Sequence, residues 1–198
     1  MKTNIYLIRH AESTANNEGI FGGITDFNLS NNGFKQAEDL ALKFENINID
    51  GIYSSPLKRA VQTIMPTARL INKQINIVDE LREIDFGEWE NKLISELRTK
   101  YPAQTNYIDN TEYYKDINGQ EDTYDVANRM EKAIKQISNN NINKNIIIVS
   151  HCAAIKAFLC KIKNVPFEYT KKRIEKIDNA SVRKLVYNNN TFKINVML

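Results

Sequence analysis

His10 and His151, the two histidines of the chain, stand in the same local setting at opposite ends of the sequence. Each follows a short run of β-branched, aliphatic and aromatic residues, at 5–8 and 146–149, and such runs are typical of β-strands. Open parallel sheets bind their ligands at the carboxyl ends of the strands. We therefore expect both imidazoles to reach one site that folding assembles from distant parts of the chain.

Arg9 lies directly before His10 and places a fixed positive charge beside an imidazole. A neighbouring cation disfavours the imidazolium ion, and a neutral imidazole is a nucleophile that can form covalent intermediates. The guanidinium group can also hold two phosphate oxygens at once. The pair is therefore suited to chemistry on a phosphate group.

Three further parts of the chain could complete such a site. At Ser55-Pro56 a strand ends and a helix is predicted to begin, so its first N–H groups and Arg59 would attract an anion. Glu83 could protonate a leaving-group oxygen, because a bound phosphate favours the protonated carboxyl. His151 and the first N–H groups of the helix after it would meet the phosphate from the other side. Alone, each residue fits an ordinary structural role; together they indicate phosphoryl transfer.

Strand and helix patterns alternate along the chain, which predicts an α/β sheet covered on both faces, with an antiparallel edge. Strands are expected at residues 3–9, 50–54 and 75–78, in the run that ends at His151, and as a terminal hairpin at 181–187 and 191–196. Helices are expected at residues 30–46, 55–66, 92–100, 122–138 and 153–161. Pro66 is expected to end or kink its helix. Residues 11–29 and 101–119 are expected to be loops.

The composition is that of an ordinary globular protein, with 42% hydrophobic and 26% charged residues among 198. The net charge of +3, spread over mixed charges, disfavours a nucleic-acid partner, and no apolar stretch approaches the ~20 residues of a membrane span. Cys152 and Cys160 fall in one predicted helix about 12 Å apart, too far for a disulfide. We expect a reduced cytoplasmic protein without a signal peptide, since a strand begins almost at once.

Five segments, in this order, resemble the motifs of the histidine phosphatase superfamily, also called phosphoglycerate-mutase-like. Residues 7–16 resemble its opening strand and Arg-His-Gly-Glu-Ser/Thr-x-x-Asn, with alanine in place of the glycine. Residues 55–63 match Ser-x-x-x-Arg-Ala-x-x-Thr, and residues 81–90 match Leu-x-Glu-x-x-x-Gly-x-Trp-Glu. Residues 119–122 are an altered Gly-Glu-Ser element, and residues 149–152 match Val-Ser-His-Gly with cysteine in place of the last glycine.

The resemblance implies a three-layer α/β/α sandwich, with a mostly parallel central sheet and an antiparallel edge, formed by a single domain of residues 1–198. A segment at about 90–121 would be a lid over the site. The resemblance implies that His10 is the phosphorylated nucleophile and that Glu83 is the proton donor and later the base for water. The phosphate pocket would be formed by Arg9, Arg59 and His151. The substrate entrance would be lined by Ser13, Asn16, Gly22 and Gly23.

Three functions compete. The first is a metal-independent phosphatase that hydrolyses a small phosphate monoester through a phosphohistidine on His10. The second is a phosphoglycerate mutase; mutases of this family usually carry longer segments after the acid and a Glu-Arg-His-Tyr element, whereas residues 83–86 are Glu-Ile-Asp-Phe. The third is a non-catalytic member that only binds phosphate esters, which the intact set of five pocket residues argues against.

The expected partner is a small phosphorylated metabolite, with no metal or other cofactor, no nucleic acid and no membrane. Sugar phosphates, phosphoglycerates, nucleotide-loop precursors and phosphoamino acids all remain open as substrates. We expect a monomer or a homodimer, and the terminal hairpin offers a sheet edge for pairing.

Overall fold

The computed structural model of the chain describes residues 2–197. Its strands are β1 (Lys2–Arg9), β2 (Gly51–Ser54), β3 (Ile75–Ile77), β4 (Asn145–Ser150), β5 (Val182–Asn188) and β6 (Thr191–Met197). Its α-helices are α1 (Thr14–Glu18), α2 (Asn31–Phe44), α3 (Lys58–Leu70), α4 (Ile94–Lys100), α5 (Pro102–Thr111), α6 (Thr123–Asn139), α7 (Cys152–Ile162) and α8 (Thr170–Arg173). None of the helices within residues 2–197 combines the length and the apolar character needed to cross a membrane.

The six strands form one sheet in the order β3-β2-β4-β1-β5-β6. β1, β2, β3 and β4 run parallel to one another, while β5 pairs antiparallel with β1 and β6 antiparallel with β5, which forms the predicted antiparallel edge. β1 lies directly beside β4, with Arg9 opposite Ser150. The histidines that follow these two residues therefore leave the sheet side by side, and the His10 N–H donates to the Ser150 carbonyl at 3.0 Å.

Helices cover both faces of the sheet, which confirms the predicted three-layer α/β fold. Alternate residues of a strand point to opposite faces. In β1, Ile5 and Leu7 pack into a core with residues of α6 and α7, whereas Tyr6 and Ile8 pack into a second core with residues of α2 and α3. β1 and β4 are thus buried on both sides, as their nearly continuous apolar runs predict.

The helix after β2 begins later than the sequence predicts. The Ser55 N–H donates to the Val149 carbonyl at 3.0 Å, which keeps Ser55 beside the sheet, and its hydroxyl contacts His151 rather than capping a helix. α3 therefore begins at Lys58, and the prediction of a start at Ser55-Pro56 is wrong. α3 also continues past Pro66 to Leu70, so the expected end at Pro66 is wrong, whereas the alternative of a kink there stays a prediction. Buried residues on both sides of the proline, such as Ile64 and Ala68, hold the helix together.

Two expected loops contain helices. Within residues 11–29, α1 is a single short helix whose N-cap is Ser13: the serine hydroxyl accepts from the Asn16 N–H, and the Asn16 side chain accepts from the Ser13 N–H. Such reciprocal capping stabilises a helix start. Within residues 101–119, α5 begins at Pro102, a position where proline is tolerated. It buries only two of its side chains, which is too few to produce a recognisable helical period.

Candidate active site

A cavity of about 200 Å³ opens where β1 and β4 end. Its polar lining is Arg9, His10, Ser13, Asn16, Arg59, Glu83, Tyr114 and Cys152, and its less polar lining is Ala15, Ile20, Phe21, Gly22, Phe86, Ile94 and Ala153. The cavity therefore brings together four of the five residues predicted to carry the chemistry, Arg9, His10, Arg59 and Glu83, from three separate parts of the chain.

His10 is buried at the cavity, with its ring orientation set by its own backbone. Its Nδ1 atom lies 2.6 Å from the Ala11 carbonyl oxygen. A carbonyl can only accept a hydrogen bond, so Nδ1 carries the proton of the neutral ring and Nε2 keeps its lone pair. Burial lowers the pKa of His10 well below its ordinary value, and the charges of Arg59 and Arg9 lower it further. The neutral ring with a free Nε2 is the form required of a nucleophile.

The guanidinium group of Arg9 is held at the cavity by the segment that precedes β5. Its Nη1 donates to the Ile177 carbonyl at 2.7 Å. Its Nε is buried and finds no hydrogen-bond partner among residues 2–197. Arg9 lines the cavity, and its guanidinium group is suited to donate to an anion there.

Arg59 is almost fully buried and is fixed by the loop before α2. Its Nη1 donates to the Thr25 carbonyl at 2.9 Å, and its Nη2 donates to the Gly23 carbonyl at 2.6 Å. The Thr63 hydroxyl donates to the Arg59 carbonyl at 2.6 Å and accepts from the Ala11 N–H at 2.8 Å. Thr63 thereby connects the first turn of α3 to the residue after His10. This connection holds the Arg59 guanidinium and the His10 ring in fixed positions relative to each other.

The backbone at the start of α3 does not form the anion site that the sequence predicts. The Lys58 N–H donates to Asp26 Oδ1 at 2.7 Å, and the Leu57 N–H donates to the Ser55 hydroxyl at 3.3 Å. These donors are therefore already used. At this end of the helix it is the Arg59 side chain that supplies positive charge to the cavity.

Glu83 is buried against the N-terminus of α7. Its Oε1 accepts from the N–H groups of Ile84 at 3.1 Å and Ala154 at 2.8 Å, and its Oε2 accepts from the Ala153 N–H at 3.1 Å. The N–H groups that the sequence assigns to the phosphate thus bind Glu83 instead. Because Oε2 has the single contact, it is the oxygen better able to exchange a proton with a substrate in the cavity.

His151 lies behind the cavity rather than on its surface. Its ring centroid is 5.0 Å from that of His10, with the two planes at 55°. Burial lowers the pKa of His151 well below its ordinary value, and Arg59 and His10 lower it further. Its Nδ1 is buried and has no hydrogen-bond partner within residues 2–197. The ring is therefore neutral, and it lies beside the His10 ring with one nitrogen that has no hydrogen-bond partner in the described residues.

The two buried histidines make the stability of the protein depend on pH in a predictable direction. In the folded state both pKa values lie below the ordinary value of about 6.5, so the unfolded chain binds more protons as the pH falls. We expect the free energy of unfolding to be highest above about pH 6.5 and to fall below it, by up to about 1.4 kcal/mol per pH unit for each histidine. Urea unfolding between about pH 7.5 and about pH 5.5 measures this slope. A flat profile, or an equal slope in His151→Gln, would contradict it.

The predicted substrate entrance is only partly where the sequence places it. Ser13, Asn16 and Gly22 line the cavity, although the first two also cap α1. Gly23 does not line it: its carbonyl holds Arg59, and a Cβ there would lie 2.0 Å from the Glu90 carboxylate. Gly23 therefore holds Arg59 in place and does not contact the cavity. Contacts of Ser13, Asn16 and Gly22 with a substrate stay a prediction.

Two aromatic residues that the sequence analysis does not single out complete the cavity wall. Phe86 lies in edge contact with Phe21 and with Tyr114, at ring-centroid distances of 4.9 Å in both cases. Burial raises the pKa of Tyr114, so its hydroxyl keeps its proton and can donate a hydrogen bond. Tyr114 follows α5 within residues 90–121, and the role of this segment as a lid stays a prediction.

Arg129, on α6, is a further residue that the sequence analysis misses. Its guanidinium donates to the carbonyls of Glu80 at 2.6 Å, Arg82 at 2.8 Å and Glu83 at 3.0 Å. It also binds both carboxylate oxygens of Glu121, at 2.7 and 2.9 Å. One side chain thus fixes the backbone that carries Glu83, from the side away from the cavity. Only its spacing after the altered Gly-Glu-Ser element could have drawn attention to it.

Removal of this support should affect the acid more than the nucleophile. We expect Arg129→Gln to lower kcat by about 10-fold to 100-fold for alkyl phosphates, whose leaving group needs a proton, and by clearly less for p-nitrophenyl phosphate. Lys135→Gln is the matched control, because Lys135 forms an ion pair with Glu131 on the same helix at 2.9 Å. Steady-state kinetics on both esters decide the matter; equal losses on the two would show that Arg129 acts on the fold alone.

The residues of the cavity do not form a recognisable metal site. Within residues 2–197, no three histidine, cysteine, aspartate or glutamate side chains are grouped closely enough to hold a metal ion. Cys152, which stands where the motif that the sequence resembles has glycine, is the first residue of α7 and is partly exposed at the cavity, while Cys160 is buried in the same helix. Cys152 has a helical backbone and does not have the positive φ that favours glycine. The cysteine is therefore accommodated without strain.

Known proteins resemble this chain in sequence and in fold. Phosphoserine phosphatase 1 of Hydrogenobacter thermophilus is 33% identical over 161 residues, which cover 81% of this chain and 76% of that protein. The structure of Bacillus stearothermophilus YhfR superimposes with a TM-score of 0.90 at 26% identity, covering 98% of this chain and 96% of the other. Phosphoserine phosphatase from Entamoeba histolytica, in complex with 3-phosphoglyceric acid, gives a TM-score of 0.84 at 26% identity, with the same coverage of 98% and 96%. A family model described as histidine phosphatase superfamily (branch 1) matches residues 5–197, and the chain belongs to this superfamily.

Proposed function

We propose that the protein is a phosphatase that hydrolyses a small phosphate monoester through a phosphohistidine on His10. The observation that carries the proposal is the neutral His10 ring, whose Nδ1 N–H donates to the Ala11 carbonyl, in one cavity with Arg9, Arg59 and Glu83. Phosphoryl transfer needs a positioned nucleophile, neutralisation of charge and a proton for the leaving group. The cavity has a candidate for each of these.

In the first step, Nε2 of His10 attacks phosphorus while the bond to the ester oxygen breaks. The guanidinium groups of Arg9 and Arg59 neutralise the charge on the three non-bridging oxygens. Glu83, protonated at Oε2, gives its proton to the departing oxygen, and the alcohol leaves. The products of this step are a phosphohistidine and a glutamate carboxylate.

In the second step, a water molecule takes the place of the alcohol. The Glu83 carboxylate removes a proton from the water as its oxygen attacks phosphorus and the bond to Nε2 breaks. Inorganic phosphate forms, and both His10 and Glu83 return to their starting states. The same carboxyl thus serves as acid and base in turn.

Phosphoserine is the substrate that we test first. Two relatives named above are phosphoserine phosphatases, and the cavity of about 200 Å³ is suited to a small leaving group. The aromatic wall of Phe21, Phe86 and Tyr114 could face the substrate ammonium group, since cations are attracted to aromatic faces. The phosphoglycerate mutase reaction is less favoured, because residues 83–86 lack the element expected of mutases.

Phosphate release from a panel of esters, with a metal chelator present, tests the proposal. We expect turnover of p-nitrophenyl phosphate and a higher kcat/KM for phosphoserine than for 3-phosphoglycerate. Interconversion of phosphoglycerates without net phosphate release would instead show a mutase. Saturable binding of esters without turnover would show a binding protein and would reject catalysis.

A further inference from the structure

We propose that Ser55 is a positioning residue that fixes the tautomer of His151, so that His151 offers its Nδ1 proton to the phosphoryl group. The inference rests on the proposed function for the identity of that group. The contact itself is short: Ser55 Oγ and His151 Nε2 are 2.7 Å apart. Both residues have no exposed surface, so solvent does not take part in it.

The direction of this hydrogen bond follows from the other contact of the serine. Ser55 Oγ accepts from the Leu57 N–H at 3.3 Å, which occupies one of its lone pairs. A serine hydroxyl has a single proton to donate. If His151 donated from Nε2, that proton would have no acceptor within the described part of the chain. The Nδ1 lone pair of His151 would then be unsatisfied as well. Donation from the hydroxyl leaves only the Nδ1 N–H without a partner in the described residues, and because each unsatisfied buried polar group costs about 1–3 kcal/mol, the hydroxyl donates to Nε2.

The consequence for His151 follows from its neutral ring. A neutral imidazole has one proton, so a ring whose Nε2 accepts must carry that proton on Nδ1. The Nδ1 atom is buried, with no partner among residues 2–197, and the ring lies 5.0 Å from that of His10. An N–H donor held ready beside the nucleophile can stabilise negative charge as it develops on a phosphoryl oxygen.

The serine is well placed to act in this way because the sheet fixes its backbone. Its N–H donates to the Val149 carbonyl at 3.0 Å, and its carbonyl accepts from the Ser54 hydroxyl at 2.9 Å. Ser54, the last residue of β2, lies opposite Val149 in β4. Ser55 and His151 therefore leave two neighbouring strands, and their separation is set by strand pairing rather than by loop conformation.

Nitrogen-15 NMR of the imidazole rings measures the tautomer directly, and a chain with two histidines gives a simple spectrum. We expect the wild-type His151 to be protonated on Nδ1, and its Nδ1 proton signal to shift when inorganic phosphate is added. His10→Gln assigns the two rings. A wild-type His151 protonated on Nε2 would overturn the proposal without any variant, as would an Nδ1 proton signal that phosphate does not shift.

Variants at position 55 then connect the tautomer to catalysis. Ser55→Ala should give a mixture of tautomers at His151, no change at His10, and a fall in kcat of about 10-fold with little change in KM. Ser55→Thr retains the hydroxyl and should recover both the tautomer and the rate. An unchanged tautomer in a folded Ser55→Ala protein would reject the inference. Absence of turnover in the wild type, with the expected tautomer present, would reject the proposed function but leave the hydrogen bond between Ser55 and His151 established.

Discussion

Replacement of His10 by alanine is expected to reduce phosphate release by more than about 10⁴-fold, the largest effect of any single substitution in this protein. The ring supplies the nucleophilic Nε2, and none of the other residues that line the cavity carries an imidazole. The cavity would still hold Arg9 and Arg59, so binding of phosphate esters should persist. Rates on phosphoserine and on p-nitrophenyl phosphate, with ester binding measured separately, test this prediction.

His10→Gln is the matched variant, since it fills most of the same volume and lacks the imidazole. Both variants should keep the fold at neutral pH, because the ring makes a single side-chain hydrogen bond, to the adjacent Ala11 carbonyl. Thermal unfolding provides the control. Wild-type rates in either variant would reject the mechanism outright.

Glu83→Gln is expected to give the second largest effect, and one that depends on the substrate. The serine of phosphoserine leaves as an alkoxide unless its oxygen is protonated, so turnover of phosphoserine should fall by about 10² to 10⁴-fold, whereas turnover of p-nitrophenyl phosphate should fall clearly less. The glutamine should also destabilise the protein, since its amide has one accepting oxygen in place of two and cannot accept from all three backbone N–H groups, those of Ile84, Ala153 and Ala154, as the carboxylate does.

The ratio of the turnover rate on phosphoserine to that on p-nitrophenyl phosphate separates loss of the acid from loss of stability. A loss of folded protein lowers both rates by the same factor and leaves their ratio unchanged. A ratio equal to that of the wild type would remove the acid role of Glu83. It would leave this residue as a structural cap on the N-terminus of α7.

The strands were predictable because each is marked by its own composition. The runs at 5–8 and 146–149 are β-branched and apolar, and burial on both faces requires that composition. Their parallel pairing then brings His10 and His151 to the same edge of the sheet. The α/β class and the antiparallel edge follow in the same way from the alternation of elements and the terminal hairpin.

Other features depend on contacts between distant residues, which leave no local pattern. Ser55 before Pro56 resembles a helix cap, but its hydroxyl bonds to His151, nearly a hundred positions away. Arg129 has the appearance of one more charged residue on a helix, yet it holds the carbonyls around Glu83. Helix α5 could not be recognised from the sequence, because it buries too few residues to produce a helical pattern of apolar positions. In each case tertiary structure decides the role and the local sequence does not reveal it.

The most direct test of the central claim is to identify the phosphorylated residue during turnover. The enzyme is mixed with phosphoserine, quenched in alkali, where phosphohistidine survives, and digested for mass spectrometry. We predict one phosphoryl group, on the peptide that contains His10, with none on His151 and none in His10→Gln. Turnover that proceeds with no phosphorylated protein, or with the phosphoryl group on another residue, would contradict the account.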